Sequence, residues 1–221
     1  MHTISIKQND ERVIQLAKVD PLMGRLIHII GDVHIIMRPN FFQSLVRSII
    51  GQQISVAAAN SIYNHLKALV GKTLTPENIS ALSDNDLRHV GFSKQKIRYV
   101  RDLTVKIRSA TLNLNILPSL NNKDAVKQLT KTKGIGKWTA EMFLIFSLGR
   151  MDVLSLDDIG IQRGAQWLYQ VDRRERRNIL IKMADVWHPH YTIASVYLWE
   201  AVRLDLINQY TNITEAETAI Y

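Results

Sequence analysis

Apolar residues recur three and four positions apart along most of this chain, and segments that alternate apolar with polar residues are scarce. That period belongs to helices that bury one face, so the expected fold is all-α. The first clear case follows Pro39, where Phe41, Leu45 and Ile49 run beside Phe42, Val46 and Ile50 to make one broad apolar face. It should end near Gly51.

The same reading carries down the chain. Ser55 is placed to cap a helix with Ala59, Ile62, Tyr63, Leu66, Leu69 and Val70 inward, closed by Gly71. Thr75-Pro76 starts a short helix, and Ser83 with Asp86 resembles a capping box. From Ser93, Ile97, Val100, Leu103 and Ile107 form an apolar stripe on a helix whose other faces are basic. Asn122 is expected to cap a helix through Leu129, residues 131–136 break the pattern, and a new helix covers residues 137–148. Helices toward Tyr169, toward Trp187 and over residues 191–210 follow, roughly ten in all.

With 221 residues, 46% of them hydrophobic, and no linker or repeat, the chain should form a single unit over 1–221. There is no cysteine, which excludes disulfides, thiolate metal sites, Cys nucleophiles and Cys-ligated clusters. No signal pattern or membrane-length apolar run is present, so no membrane association is expected and the protein reads as intracellular. The formal net charge of +8 favours a polyanionic partner.

Residues 129–143, LTKTKGIGKWTAEMF, are the most informative stretch: a helix, a glycine turn and a second helix. Gly134 and Gly136 can take backbone angles closed to other residues, and they let a phosphate approach the amides that open the following helix. Lys131, Lys133 and Lys137 add positive charge, so the segment can hold a nucleic-acid backbone without reading sequence. A nucleotide P-loop is excluded because one residue separates the glycines and Trp138 follows Lys137. A dinucleotide motif is excluded because no strand precedes it.

In SLDDIGIQRG, Asp157 is expected as a helix cap and Asp158 in the first turn, where the helix dipole favours a carboxylate. Such a group suits stabilisation of a developing cation or activation of water. Trp167 and Trp199 read as core, whereas Trp138, directly after the glycine turn, is placed to stack on a base. The histidines show no metal-ligand spacing, and the arginines at 173, 174, 176 and 177 read as a solvated helix start.

Taken together, GIGKWTA, the Asp157-Asp158 pair, the WHP of residues 187–189 and IIGQQIS of residues 49–55 resemble the helix-hairpin-helix DNA glycosylases with a Gly/Pro-rich loop and an aspartate. The likeness is greatest to their alkylation-repair branch, the 3-methyladenine DNA glycosylases II, and runs from about residue 38 to 202. It implies two helical lobes with the active-site cleft between them, a hairpin motif at about 123–148, and a compact form without the β-rich N-terminal domain of longer relatives.

Position by position, the resemblance makes Asp158 the catalytic residue and gives Trp138, Met142 and Trp187 to the substrate pocket. DNA contacts fall to Gln52, Gln53, Ser55, Lys133, Gly134, Gly136, Lys137 and Thr139, with Gln53 as the side chain that fills the gap left by an extruded base. Trp138 stands where bifunctional relatives carry a Schiff-base lysine, so the implied enzyme is monofunctional and uses water. The implied partner is double-stranded DNA with damaged bases, bound by a monomer. The implied substrates are alkylated purines such as 3-methyladenine and 7-methylguanine, whose positive charge already makes them good leaving groups. No cofactor is required for that chemistry, although the family suggests a monovalent cation at the hairpin backbone carbonyls.

Met142 and Ile159 stand where some relatives have pocket tyrosines, and His190-Tyr191-Thr192 replaces a common Tyr-Arg-Ser. A glycosylase for deaminated or mismatched bases and a non-catalytic hairpin module are the competing readings.

Overall fold

The computed structural model describes residues 2–71 and 73–220. Among them stand fourteen α-helices, two 3-10 turns and one pair of short strands, so the all-α expectation holds with a small addition. That addition lies ahead of Pro39. β1 (Thr3–Ile6) pairs antiparallel with β2 (Val33–Ile36), Thr3 opposite Ile36 and Ile6 opposite Val33. Between the strands come α1 (Glu11–Val19) and α2 (Pro21–Ile30), which the periodicity does not reveal. Nine and ten residues give barely three turns, and α2 is apolar on most sides. Their caps are regular: Asp10 accepts from the Arg12 amide, and Asp20 from the Met23 amide with Pro21 at the first helical position.

The chain divides into two compact units, one made of Arg38–Leu148 and the other of Met1–Met37 with Gly149–Tyr221. The first carries α3 (Phe41–Gly51), α4 (Val56–Val70), α5 (Pro76–Ala81), α6 (Asp84–His89), α7 (Lys94–Arg108), α8 (Asn122–Leu129) and α9 (Lys137–Phe146). Every one of these except α9 has a side-chain N-cap, from Asn40, Ser55, Thr75, Ser83, Ser93 and Asn121 in turn. The cap of α8 is therefore Asn121, not Asn122, because the Asn121 side chain is the one that reaches the Asp124 amide. The buried face of α4 is also narrower than its sequence suggests: Tyr63 and Leu66 are buried while Leu69 is 46% exposed.

In this unit Leu45, Val46, Ile49 and Ile50 of α3 are fully buried, each stabilising the fold by about 1.5–3 kcal/mol. Phe41 at the start of α3 meets Phe143 late in α9 edge-on, with centroids 5.4 Å apart. Gln52, just past the end of α3, bonds to Gly134 ahead of α9. The two helices thus run antiparallel, and the end of α3 lies beside the turn that opens α9.

The second unit adds to α1 and α2 the helices α10 (Ile159–Tyr169), α11 (Arg176–Trp187), α12 (Tyr191–Arg203), α13 (Leu206–Gln209) and α14 (Ile213–Ile220). The single helix expected over 191–210 is broken at Asp205, which takes a φ of 61°. A β-carbon on Gly164 would stand 2.6 Å from the Leu198 carbonyl, so only glycine lets α10 and α12 approach this closely. Buried Asp20 ties α2 to the later helices, accepting from the Tyr169 hydroxyl at 2.5 Å and the Trp187 indole at 2.8 Å. Burial and the neighbouring Asp20 raise the Tyr169 hydroxyl far above its ordinary range, so it stays a donor.

Candidate active site

The glycine turn is built from behind by α7. Gly134 has a φ of 81°, and a β-carbon there would fall 2.2 Å from the Tyr99 ring, so neither its conformation nor its surroundings admit a side chain. One turn further along α7, Asp102 accepts from the Lys133 amide at 2.8 Å and from the Lys106 ammonium at 2.7 Å. Burial pushes the Asp102 carboxyl up, but the bonds from Lys106 and the Lys133 amide outweigh it and hold the group below its ordinary range. Lys106 also donates to the Lys131 carbonyl. Tyr99, Asp102 and Lys106 are spaced three and four apart, which puts them on one stripe of α7.

Gly136 is a different kind of glycine from Gly134. Its φ of −83° is open to any residue, and a β-carbon there would meet nothing within 4 Å. Of the two glycines that can take special backbone angles, only Gly134 does so. What Gly136 provides is an N-terminus of α9 with no side chain bonded across it. In the first turn that follows, Trp138 is 47% exposed while Thr139 is buried. Met142, one turn on from Trp138, is 8% exposed. The Lys137 ammonium lies 3.6 Å from Glu141. Gln52, Gln53, Gln95, Tyr99, Gly134 and Trp138 all line one open groove of this unit.

Buried Thr139 offers DNA no exposed side chain, and the Lys133 amide is turned inward to Asp102. Lys133 and Lys137 both present exposed side chains. Gln52 and Gln53 separate sharply. Gln52 donates to the Gly134 carbonyl at 2.7 Å, whereas Gln53 is exposed with a φ of 57°. Ser55 is exposed and caps α4 through the Ala58 amide.

In the other unit, the cap expected of Asp157 falls to Asp158, and Asp157 stands ahead of the helix. Asp158, not Asp157, is the N-cap of α10: its Oδ1 accepts from the Ile161 amide and from the Trp199 indole, each at 2.9 Å. Asp158 is 6% exposed. Asp157 is exposed and pairs with Arg177 at 3.1 Å. The register decides this: a cap oxygen reaches the amide two or three residues on, and here the amide met is that of Ile161, three beyond Asp158.

Trp199, read from the sequence as plain core, is therefore the indole donor that orients the Asp158 carboxylate. Its position on α12 gives no local signal, because the contact is made across two helices. Trp187 also departs from expectation: it is wholly buried, with its indole on Asp20, and has no face open to a base. Ile159, beside Asp158, is 62% exposed. Among the described residues no group of three or more His, Cys, Asp or Glu is arranged to hold a metal ion.

An uncapped helix N-terminus behind a glycine turn can accept phosphate, an exposed indole can accept a base face, and a buried oriented carboxylate can stabilise a cation. Comparison with known proteins places the chain in a family. Residues 46–189 match the HhH-GPD superfamily base excision DNA repair protein family. The chain is 32% identical to DNA-3-methyladenine glycosylase 1 of Schizosaccharomyces pombe, over 91% of this chain and 94% of that one. Among solved structures, a DNA-3-methyladenine glycosidase from Bacillus halodurans superposes with a TM-score of 0.88 at 39% identity, covering 96% of this chain and 98% of that one. The S. pombe 3-methyladenine DNA glycosylase Mag1 in complex with abasic DNA gives 0.76 at 30% identity, over 88% and 97%.

Proposed function

From the premise that this chain belongs to the HhH-GPD superfamily of base excision DNA repair proteins, we propose that it removes alkylated purines, 3-methyladenine and 7-methylguanine among them, as a monofunctional glycosylase. It is a DNA glycosylase, an N-glycosyl hydrolase of base excision repair. The observation that carries the finer reading is the Asp158 carboxylate, buried at the head of α10 and oriented by Trp199.

In this mechanism the C1′–N bond of the extruded nucleotide breaks with its electron pair going to the cationic base, which leaves neutral. The sugar passes through an oxocarbenium-like state that the Asp158 carboxylate stabilises. A water oxygen then bonds to C1′ and releases its proton, leaving an abasic sugar in an intact strand. The substrate's own charge supplies the leaving-group activation, so no strong acid is needed. Trp138 offers its exposed ring to the base and Met142 packs beside it on the same face of α9. The amides that open α9 and the side chains of Lys133 and Lys137 hold phosphate, and Gln53 fills the vacated position in the stack.

A monovalent cation under the hairpin fits this chain's residues. The Thr132 hydroxyl is buried in the turn without a hydrogen-bond partner among the described residues, a neutral oxygen of the kind such an ion takes. The carbonyls of Lys131, Thr132 and Gly134 are already engaged by Lys106, Ile135 and Gln52. Thr132 and the remaining turn carbonyls would hold the ion, which when bound adds positive charge behind the phosphate.

The test is release of free base from duplexes bearing 7-methylguanine, 3-methyladenine, hypoxanthine or a mismatch, run with wild type and Asp158→Asn. Release of the alkylated purines by wild type, lost in Asp158→Asn while lesion-DNA binding persists, is expected. Near-wild-type turnover by Asp158→Asn would overturn the mechanism, and release of deaminated or mismatched bases alone would overturn the substrate class.

A further inference from the structure

The segment between α3 and α4 is tied down at two points that have no role in its own helices. At the end of α3, the Ile50 carbonyl accepts from the Lys96 ammonium of α7 at 2.7 Å. Two residues on, the Gln52 side chain donates through Nε2 to the Gly134 carbonyl at 2.7 Å. Directly after these ties comes Gln53, exposed, in the left-handed region that a non-glycine residue holds only when its surroundings impose it. Lys96 is also beside Gln95 and one turn ahead of Tyr99, whose ring lies against Gly134. The same helix therefore backs both the hairpin and the loop carrying Gln53.

We propose that Gln52 is a strut between the hairpin and the Gln53 loop, with Lys96 as a second tie, and that it acts on base extrusion by positioning Gln53 without itself touching DNA. The proposal rests on the reading of the hairpin as phosphate anchor and Gln53 as the stack-filling side chain. Its logic is mechanical. Once phosphate fixes the hairpin, a Gln53 joined to the Gly134 carbonyl through one residue is fixed relative to the strand. Without the strut, the same loop must be ordered in the complex at an entropic cost that falls on extrusion alone.

The experiment compares wild type, Gln52→Met and Lys96→Met under single-turnover conditions. One substrate is a paired 7-methylguanine duplex, and the other places the same lesion opposite an abasic gap, where no base pair has to be broken and extrusion is easier. Affinity for undamaged duplex is measured alongside. Gln52→Met, which keeps the side-chain length but loses the donor, is expected to slow excision from the paired duplex about tenfold, the worth of one hydrogen bond. The loss on the unpaired substrate should stay below about threefold, and undamaged-duplex affinity within about twofold. Lys96→Met should give the same pattern, and Gln53→Ala should add little in the Gln52→Met background.

Equal loss on both substrates, no loss on the paired one, or a parallel fall in undamaged-duplex affinity would each overturn the strut. Should Gln52→Met fail to give a cooperative melt, Lys96→Met decides by the same outcomes. A wild type that releases no base from any duplex would instead overturn the glycosylase reading. Fluorescence of 2-aminopurine placed beside the lesion still reports extrusion in that case, so the two failures remain distinct.

Discussion

Replacing Gly136 by Ser should make the protein more stable and a poorer binder of DNA. Gly136 is the N-cap of α9, has a backbone conformation open to any residue, and faces open space. A serine there can turn its hydroxyl onto an amide two or three residues on, as Ser55, Ser83 and Ser93 do at their own helices. Relative to glycine that gains a few tenths of a kcal/mol, roughly 0.3, in folding stability. The amide so occupied is one that would otherwise face phosphate. Losing it costs about 1 kcal/mol of binding, or about a fivefold weaker Kd. Gly136→Asp caps equally well but also sets a carboxylate against phosphate, and two charges about 4 Å apart repel by about 1 kcal/mol in water and more near protein. Its Kd should therefore weaken by roughly a further fivefold or more. Fluorescence anisotropy with undamaged and lesion-bearing duplexes over a range of salt, beside thermal melts, measures both quantities. The opposite signs for stability and affinity exclude misfolding as the cause, and the damaged-to-undamaged ratio should barely move. Gly136→Ser binding undamaged duplex as tightly as wild type would refute the assignment of these amides to phosphate.

Asp157→Asn should leave activity unchanged and stability within about 0.5 kcal/mol, because an exposed pair with Arg177 contributes little; complete loss of activity in the folded variant would move the catalytic role from Asp158 to Asp157. Trp199→Phe removes one hydrogen bond to a carboxylate, worth about 1.5–3 kcal/mol, so kcat should fall at least about tenfold with KM little changed; a wild-type kcat would show that Asp158 needs no such orientation. Borohydride trapping should yield no covalent adduct, since Trp138 follows the turn and Lys137 lies near Glu141; an adduct mapping to Lys137 would overturn hydrolysis by water alone.

Helices with a long, wide apolar face were legible in the sequence. In α3 and α7 the repeated spacing names most of the buried residues, Phe42, Leu45, Val46, Ile49 and Ile50, then Ile97, Val100 and Leu103, while it includes half-buried Phe41 and Ile107 and passes over buried Ser44 and Thr104. Elements of four to ten residues ahead of Pro39 were not, because too few turns fit inside them for a period to accumulate. Where two similar residues adjoin, composition cannot choose between them. Asn121 and Asn122 both cap well, as do Asp157 and Asp158, and the choice falls to whichever backbone position sets its oxygen before the amide three residues on. At Asp158 that choice coincides with a donor from α12, so capping and orientation by Trp199 reinforce one another in the same carboxylate.

The turn itself shows the deeper reason that residue types are easier to read than their directions. KGIGK announces phosphate contact, yet its first lysine has its amide on Asp102 and its first glycine lies under the Tyr99 ring, both facing into the unit. Only from Gly136 onward does the backbone face outward, into an N-terminus left without a side-chain cap. What turns the first half inward is a stripe of α7, and what takes the Gly134 carbonyl is Gln52 at the end of α3. Each stands some thirty or more positions earlier in the chain, where nothing local marks it as part of a hairpin. The inward half is thereby held from two sides, so the outward half can meet a phosphate with its amides already ordered, and the cost of ordering them is met in folding rather than in binding.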